Sequence, residues 1–265
     1  MRLLFWNTYK NPKINDYIAS IVQEKNIDIL ITAEYSADEN ELSQKLIEIG
    51  IPLTKTCNIG CNRISMWTNF INVSPATQNN HYSIQIINNE FIICGLHLPT
   101  DLHGDYSNER HLEMTSIIND VNNLSSEINS KKIILVGDMN EMPYNQGCLN
   151  ADGFHGLPVL NAQDSKYRTV NGKCYKKYYN PMWNLFGNFH YPPGTYYYNN
   201  SRLHNPMWYM FDQVIISQEL IPFFNNENLE IITDCYLGDL FDNKMHPNKN
   251  ISDHFPIFCE ILEEI

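Results

Sequence analysis

Residues 133–140, IILVGDMN, decide the fold because they join an apolar strand to a cluster of polar side chains. A short continuous apolar run bounded by turn residues is typical of a strand that is covered on both faces. The run ends at Gly137, and Asp138 and Asn140 follow it. Because Asn140 comes two residues after Asp138, both side chains can face one site from a single loop.

Other apolar strands along the chain also carry polar residues at their ends. Strands predicted over 3–6, 27–33 and 91–98 have these residues at their C-terminal ends, and strands predicted over 211–217 and 255–262 have them at their N-terminal starts. The polar residues are Asn7, Glu34, His97, Asp212, Asp253 and His254. If the second group of strands runs antiparallel to the first, all of these residues reach the same edge of the sheets as Asp138.

Three helices are predicted from apolar side chains that recur at intervals of three or four residues. The first has Ile14, Tyr17, Ile18, Ile21 and Val22, the second has Leu42, Leu46 and Ile49, and the third covers 111–128. Further strands are predicted over 64–68, 82–87 and 229–233, and Asn88-Asn89 is a hairpin connection. The hairpins and the few crossover helices argue against an all-parallel sheet. The sequence therefore predicts an α/β fold of two packed, mixed β-sheets flanked by helices.

Composition excludes several classes of protein. With 43% hydrophobic and 18% charged residues over 265 positions, the chain can bury a sizeable core and is not a disordered acidic tail. No run approaches 18 apolar residues, so no membrane span is predicted. Seven cysteines in a chain of this size favour a reducing, cytoplasmic location over a disulfide framework. Without repeats or a linker, residues 1–265 are predicted to form a single domain.

One segment, at about 141–210, has a different composition and is predicted to be a long loop insert. Nine of the 16 tyrosines lie between Tyr167 and Tyr209. Its cations are Lys166, Arg168, Lys173, Lys176, Lys177 and Arg202, which give residues 164–209 a net charge of +5 in a chain of −12. Cations of this kind bind phosphates and rings stack on unpaired bases, which favours nucleic acid as a partner. Packing of the rings onto the scaffold is an equally good explanation for most of them.

The polar edge also predicts a metal. Carboxylates that cluster repel one another and resist burial unless a cation neutralises them. Oxygen and amide ligands suit Mg²⁺ or Mn²⁺ better than zinc, and Mg²⁺ is commonly held by one or two carboxylates together with substrate phosphate. A single Asp or Asn after a strand is usually a turn residue or a helix cap. The shared position of all the strand-end residues makes that explanation weak for the set.

These residues carry a resemblance to a known family. Asn7 in FWNTY, Glu34 in ITAEY, His97 in GLHLP, Asp138 and Asn140 in GDMN, Asp212 in FDQVIIS and the run SDHFPI at 252–257 resemble the ordered motifs of the endonuclease/exonuclease/phosphatase superfamily. The resemblance spans the chain from Asn7 to His254. It implies a four-layered α/β sandwich and divalent-metal hydrolysis of a phosphate ester.

The resemblance also implies roles for the site residues. Glu34 is expected to be the main metal ligand, with Asn7 and Asp253 nearby. The expected catalytic residues are His254 paired with Asp212 as general base or stabiliser of the phosphorane, Asp138 to orient or deprotonate water, Asn140 to hold the scissile phosphate, and His97 to contact the phosphate or help the leaving group. An imidazole oriented by a carboxylate is a competent base near neutral pH.

Substrate contacts are less well specified by the motifs. The family often has Arg or Lys two residues before Asp212, where this chain has Met210. Arg63 and Arg110 are the candidates for a substrate-contacting side chain, and Lys173, Lys176 and Lys177 are the candidates from the insert. The sequence therefore predicts a phosphodiesterase, with nuclease activity on DNA or RNA as the first hypothesis. Hydrolysis of an inositol phosphate or a sphingomyelin-type lipid is the alternative, and a non-catalytic binding module is a third possibility.

Overall fold

Two mixed β-sheets packed face to face form the centre of the molecule, as the sequence predicts. The computed structural model describes residues 1–101, 104–187, 191–201, 203 and 205–262. The first sheet has six strands in the order β16-β19-β1-β2-β4-β3, and the second has seven in the order β5-β6-β7-β8-β15-β12-β9. Three two-stranded ribbons, β10-β11, β13-β14 and β17-β18, complete the strands of the described residues.

The bounds of these strands are β1 (Arg2–Asn7), β2 (Ile29–Ala33), β3 (Thr54–Lys55), β4 (Ile64–Thr68), β5 (Val73–Gln78), β6 (Tyr82–Ile87), β7 (Phe91–His97), β8 (Lys132–Asp138), β9 (Gly156–Leu157), β10 (Tyr167–Val170), β11 (Lys173–Lys176), β12 (Tyr178–Tyr179), β13 (Tyr196–Tyr197), β14 (Trp208–Tyr209), β15 (Asp212–Ser217), β16 (Glu230–Ile231), β17 (Asp234–Cys235), β18 (Gly238–Asp239) and β19 (Ile257–Glu260). The helices are α1 (Asn15–Lys25), α2 (Glu39–Glu48), α3 (Ser107–Glu127), α4 (Gln146–Leu149) and α5 (Met182–Phe186), with 3₁₀ turns at Gln218–Phe223 and Asn226–Asn228.

Strand β8 shows how the layers are built. Its apolar residues are fully buried, and alternate residues belong to different apolar clusters. Ile134 and Val136 pack in one cluster with the first sheet, whereas Ile133 and Leu135 pack in the other with Ile117 of α3. Buried residues of α1 and α2 belong to the same cluster as the first sheet. The layers are therefore helices, sheet, sheet and helix, a four-layered α/β sandwich.

The two sheets approach each other closely at a glycine of β7. A Cβ on Gly95 would lie 2.9 Å from the Ile64 side chain and 3.0 Å from the Ile31 side chain. Both isoleucines belong to the first sheet. The absence of a side chain at Gly95 thus permits the packing distance that brings the ends of β7 and β8 beside the ends of β1 and β2.

Gly137, inside the GDMN motif, is required by the close passage of the neighbouring strand. A Cβ there would lie 1.9 Å from the Leu96 carbonyl oxygen, which no side-chain movement can relieve. We expect Gly137→Ala to lower the free energy of unfolding by at least about 2 kcal/mol, because backbone must shift to accommodate the methyl group. Urea unfolding measures this, with Gly187→Ala as the control, since the nearest atom to that Cβ is 3.6 Å away. Equal losses in the two variants would contradict the steric account.

Two further properties concern the cysteines and the length of the helices. The seven cysteines are free thiols, five of them buried. Within the described ranges, no helix is both long enough and apolar enough to cross a membrane.

Candidate active site

Strand register gathers the predicted polar residues at one edge of the sandwich. In the second sheet, Asp138 lies opposite Asp212 in an antiparallel pairing and opposite His97 in a parallel pairing. In the first sheet, Asn7 at the end of β1 lies opposite the last residue of β2, and Glu34 follows directly. Strand β19 runs antiparallel to β1 and brings the residues that precede it to the same end. The predicted antiparallel arrangement of the two groups of strands is confirmed.

A buried imidazole–carboxylate pair lies at the base of the site. His254 Nδ1 is 2.7 Å from Asp212 Oδ2, and the Asp212 side chain is fully buried. The Asp212 backbone N–H donates to Thr195 Oγ1 at 3.2 Å. The Tyr196 ring covers the imidazole, with centroids 4.7 Å apart. Because Asp212 occupies Nδ1, only Nε2 of His254 is left to face the cleft.

Asp138 contacts more of the site residues than any other side chain described here. Its Oδ2 accepts a hydrogen bond from Asn7 Nδ2 at 3.0 Å, and its Oδ1 accepts one from the Asn140 backbone N–H at 2.9 Å. The same Oδ2 lies 3.9 Å from His254 Nε2 and 3.7 Å from His97 Nε2. A carboxylate in this position can hold a water molecule between two imidazoles.

Glu34 and Asn140, which follow β2 and β8, both adopt left-handed backbone conformations. Their φ angles are 50° and 48°. Asn tolerates this region well, but for a Glu it is an uncommon conformation of the kind that concentrates at functional sites. The Glu34 backbone N–H donates to the Arg63 carbonyl at 3.1 Å, and the Asn140 side chain donates to the Leu98 carbonyl at 3.0 Å. These bonds aim the two side chains from the strand ends into the cleft.

The Ser-Asp-His segment is fastened to the end of β1. Ser252 Oγ donates to the Asn7 carbonyl at 2.6 Å and accepts from the His254 backbone N–H at 3.1 Å. The Trp6 indole donates to the His254 carbonyl at 2.9 Å. These contacts explain why serine precedes the Asp-His pair: it fixes the segment so that Asp253 and His254 both face the cleft.

The residues predicted to hold a metal fit a hard divalent cation. Burial raises the pKa of Asp253, and the carboxylates of Glu34 and Asp138 raise it further. That mutual repulsion is what a bound cation relieves. Two carboxylates and the Asn7 amide oxygen match the sparse protein ligation of Mg²⁺, which keeps several waters or substrate oxygens. Among the described residues, the His/Asp/Glu group whose ligand atoms all lie within 4.8 Å of one another is Asp138, Asp212 and His254. In this group His254 lies 2.7 Å from Asp212 and 3.9 Å from Asp138.

The site opens into a cleft of about 340 Å³. Seven of the eight residues predicted to be catalytic or metal-binding line it, and Asp212 lies behind His254. The other lining residues are Tyr9, Thr100, Asp101, Tyr196, Tyr198, Asn200, Ser201, Tyr209 and Phe211. Within the part of the chain that the structure describes, no Lys or Arg is among the lining residues. The cleft is therefore acidic at its base and aromatic along its walls.

For the aromatic walls, the sequence left two explanations open, contact with a ligand and packing onto the scaffold. Tyr196 stacks at 5.4 Å on Phe211 and at 6.3 Å on Tyr198, so the rings pack on one another and also face the cleft. Tyr209 has a sequence signal for this role, since it comes three residues before the strand that begins with Asp212. Tyr9 and Asp101 gave no such signal.

The two candidate arginines differ in placement. Arg63 is exposed beside the site, and its positive charge helps to lower the pKa of His97, for which burial is the main cause. Arg110 is buried, and its guanidinium makes two 2.8 Å hydrogen bonds to Asp101 and lies 3.4 Å from Glu141. The expectation that Arg110 contacts substrate is therefore corrected: its donors hold the loop that carries Asp101.

The candidate lysines of the insert lie away from the site, which corrects a second expectation. Lys173 and Lys176 belong to the β10-β11 hairpin, and Lys177 follows it directly. The next strand, β12, pairs with Ser217 at the end of β15 that is opposite to Asp212. A six-residue strand spans roughly 17–20 Å, so the hairpin lies at the far end of the sheet. Arg202, the remaining cation near the cleft in sequence, lies outside the described residues.

The buried pair predicts a particular dependence of stability on pH. Burial acts to lower the pKa of His254, but the carboxylates of Asp212 and Asp138 outweigh it and raise the pKa to about 10. The resulting stabilisation is complete below the ordinary value of about 6.5 and is lost as the pH rises towards 10. Urea unfolding of the metal-free protein should show a loss on the order of a few kcal/mol over this range. The His254→Gln variant should lose less free energy of unfolding over the same pH range. Parallel plots of unfolding free energy against pH for the two proteins would contradict the prediction.

Comparison with known proteins agrees with the motifs. The chain matches the model of the Endonuclease/Exonuclease/phosphatase family over residues 84–263, and it therefore belongs to that family. A search of curated proteins found no match.

Solved structures share the fold along the whole chain. A 3'-5' exonuclease (NExo) from Neisseria meningitidis has a TM-score of 0.60 at 11% identity, and the match covers 98% of this chain and 99% of that chain. An AP endonuclease from Archaeoglobus fulgidus has a TM-score of 0.60 at 12% identity, with the same coverage. D. rerio TDP2 complexed with a single-strand DNA product has a TM-score of 0.57 at 13% identity, covering 98% and 97%. At these identities the likeness establishes the fold.

Proposed function

We propose that this protein is a divalent-metal-dependent phosphodiesterase that hydrolyses nucleic acid. The observation that carries the proposal is the placement of Asp138 between two imidazoles, one of which is held by the buried carboxylate of Asp212. Site residues from both sheets line one cleft. Such a set can activate water and stabilise charge on a phosphoryl group at the same point.

Each side chain has a task that follows from its contacts. Asp138 orients the attacking water and accepts its proton, because its Oδ2 faces the cleft between His97 and His254. Nε2 of His254 hydrogen-bonds a phosphoryl oxygen or exchanges a proton with the water, because Asp212 fixes the other ring nitrogen. A cation held by Glu34, Asp253 and Asn7 would supply further stabilisation of negative charge on the phosphate oxygens.

The walls of the cleft favour a nucleic acid substrate. Tyr196, Tyr198 and Phe211 line it with ring faces or edges, and base–aromatic stacking contributes about 1–3 kcal/mol per base. Two of the structural neighbours are described with DNA, the D. rerio TDP2 and a Neisseria NExo bound to a product DNA hairpin. Aromatic side chains stack most readily on unpaired bases. Single-stranded DNA or RNA, or a frayed end, is therefore the preferred substrate.

The charge of the cleft supports a second candidate, a small phosphate ester. Among its described lining residues there are carboxylates and tyrosines but neither Lys nor Arg. A long polyanion generally needs several cations along its backbone, whereas a substrate with one phosphodiester does not. A small or lipid phosphate ester, of the inositol phosphate or sphingomyelin type, therefore remains the alternative substrate.

A substrate panel tests the proposal. Purified protein is incubated with plasmid, single-stranded DNA, RNA, an inositol phosphate and sphingomyelin in Mg²⁺ or Mn²⁺, with EDTA in a parallel set and Glu34→Ala as the negative control. We expect metal-dependent cleavage of single-stranded nucleic acid that EDTA abolishes. Release of phosphate from the inositol phosphate or of phosphocholine from sphingomyelin, without cleavage of any nucleic acid, would favour the second candidate. Turnover insensitive to EDTA would contradict both.

A further inference from the structure

A second cavity of about 460 Å³ adjoins the catalytic cleft. The two share Tyr198 and Asp253 as lining residues, so the cavity lies directly beside a residue that is predicted to bind the metal. None of its other lining residues is among the eight residues predicted to be catalytic or metal-binding. The proposed hydrolysis therefore assigns no role to this cavity.

One wall of the second cavity is a rigid aromatic stack. The rings of Tyr197 and His246 lie parallel, with centroids 3.5 Å apart and an angle of 8° between their planes. Trp208 packs edge-on against both rings. At the boundary between the two cavities, Tyr198 is 38% exposed, which leaves part of its ring free to contact a ligand.

A second part of the cavity lining carries hydrogen-bonding groups and one cation. Its polar lining residues include Asn199, Asn248, Asn250 and Lys249. Amides can pair with the donor and acceptor edges of a base, and a lysine can pair with a phosphate. The cavity also contains Asp242, whose carboxylate accepts the backbone N–H groups of Lys244 and His246 and so holds the turn that supports this part of the lining.

From this arrangement we infer that the second cavity is a nucleotide subsite, which binds a nucleotide adjoining the scissile phosphate. The inference rests on the proposed function and names where the substrate chain continues. Aromatic rings, side-chain amides and a lysine line this cavity together, and it shares Asp253 with the catalytic cleft. Lys249 then supplies the cation that the catalytic cleft lacks among its described residues.

The subsite is tested by comparing two substrates with the protein of residues 1–265. Lys249→Ala and Lys249→Glu are assayed on a labelled single-stranded DNA oligonucleotide and on bis(p-nitrophenyl) phosphate, which has no nucleotide. We expect Lys249→Ala to raise the KM for the oligonucleotide about five- to tenfold, and Lys249→Glu to raise it further, with kcat little changed. The rise should be at least about fivefold larger than on bis(p-nitrophenyl) phosphate.

Salt dependence gives a second readout that a structural role would not change. Removing one phosphate contact should reduce the slope of log affinity against log salt by about 0.7 for a single strand. Lys244→Ala is the matched control, since this exposed lysine lies only five residues before Lys249 and does not line the cavity.

The outcomes separate the subsite from the proposed function. Equal effects on both substrates, or an unchanged KM and salt slope in an enzyme that cleaves the oligonucleotide, would overturn the subsite alone. A wild-type protein that hydrolyses bis(p-nitrophenyl) phosphate but no nucleic acid would overturn the subsite together with the proposed substrate.

Discussion

Replacing His254 by alanine is expected to lower kcat for phosphodiester hydrolysis by about three orders of magnitude or more. Its Nε2 is the imidazole nitrogen that faces Asp138 at 3.9 Å, and Asp212 fixes the ring from the other side. Truncation removes the proton carrier and the positive charge beside the phosphate in one step, so kcat should fall much more than KM rises. Steady-state kinetics on the preferred substrate measures this.

The interpretation of His254→Ala depends on the state of the fold. The truncation leaves the Asp212 carboxylate buried without its partner, which costs several kcal/mol in typical cases, about 3–5. Asp212→Asn and His254→Gln therefore accompany it, because each keeps a hydrogen-bonding group at its position. His111→Ala is the matched control, a histidine on α3 that does not line the cleft. Folded variants at position 254 with near wild-type kcat would contradict the proposed chemistry.

Replacing Glu34 by glutamine is expected to reduce metal-stimulated turnover by about 10²- to 10³-fold. The substitution keeps size and removes one charge from the two carboxylates that fit a cation, leaving Asp253 as the remaining acid. The backbone at this position has a φ of 50°, and glutamine should adopt this conformation as readily as glutamate does. Activity measured across a range of Mg²⁺ and Mn²⁺ concentrations should show a higher half-saturating concentration and a lower plateau.

The control for Glu34→Gln is Glu48→Gln, an exposed glutamate at the end of α2. It removes the same charge from the molecule without touching the cleft. If the two variants have the same metal dependence, the loss at Glu34 reflects overall charge, and the assignment of the metal to this position is wrong.

The sequence was most informative where a strand is buried on at least one face. The predicted strands over 64–68 and 82–87 coincide with β4 and β6, and the Asn88-Asn89 turn has positive φ at both residues, as a tight hairpin requires. Strong apolar patterning fixes such strands, and the strand ends then fix the site. The predicted strand over 229–233 is reduced to the two residues of β16, since only those pair with β19.

The predictions fail for segments whose structure or position in the fold is set by the rest of the molecule and not by their own residue pattern. Strand β5 at the edge of the second sheet is not predicted from the sequence, because none of its residues is buried and they form no apolar run. The β10-β11 hairpin was missed although Asn171-Gly172, flanked by strand residues, is a strong turn signal. Sequence alone also could not show that the lysines of this hairpin lie at the end of β15 opposite to Asp212, because that depends on how β12 pairs.

The most direct test of the account is the position of the metal. Crystals soaked in Mn²⁺ should give one strong anomalous peak within about 2.5 Å of a Glu34 carboxylate oxygen, at the strand ends where Asn7 and Asp253 also lie. The same soak with Glu34→Gln should lose or greatly weaken that peak. A peak elsewhere in the molecule, or no peak in crystals of an enzyme that Mn²⁺ activates in solution, would contradict the central claim that these strand-end acids and imidazoles act around a bound cation.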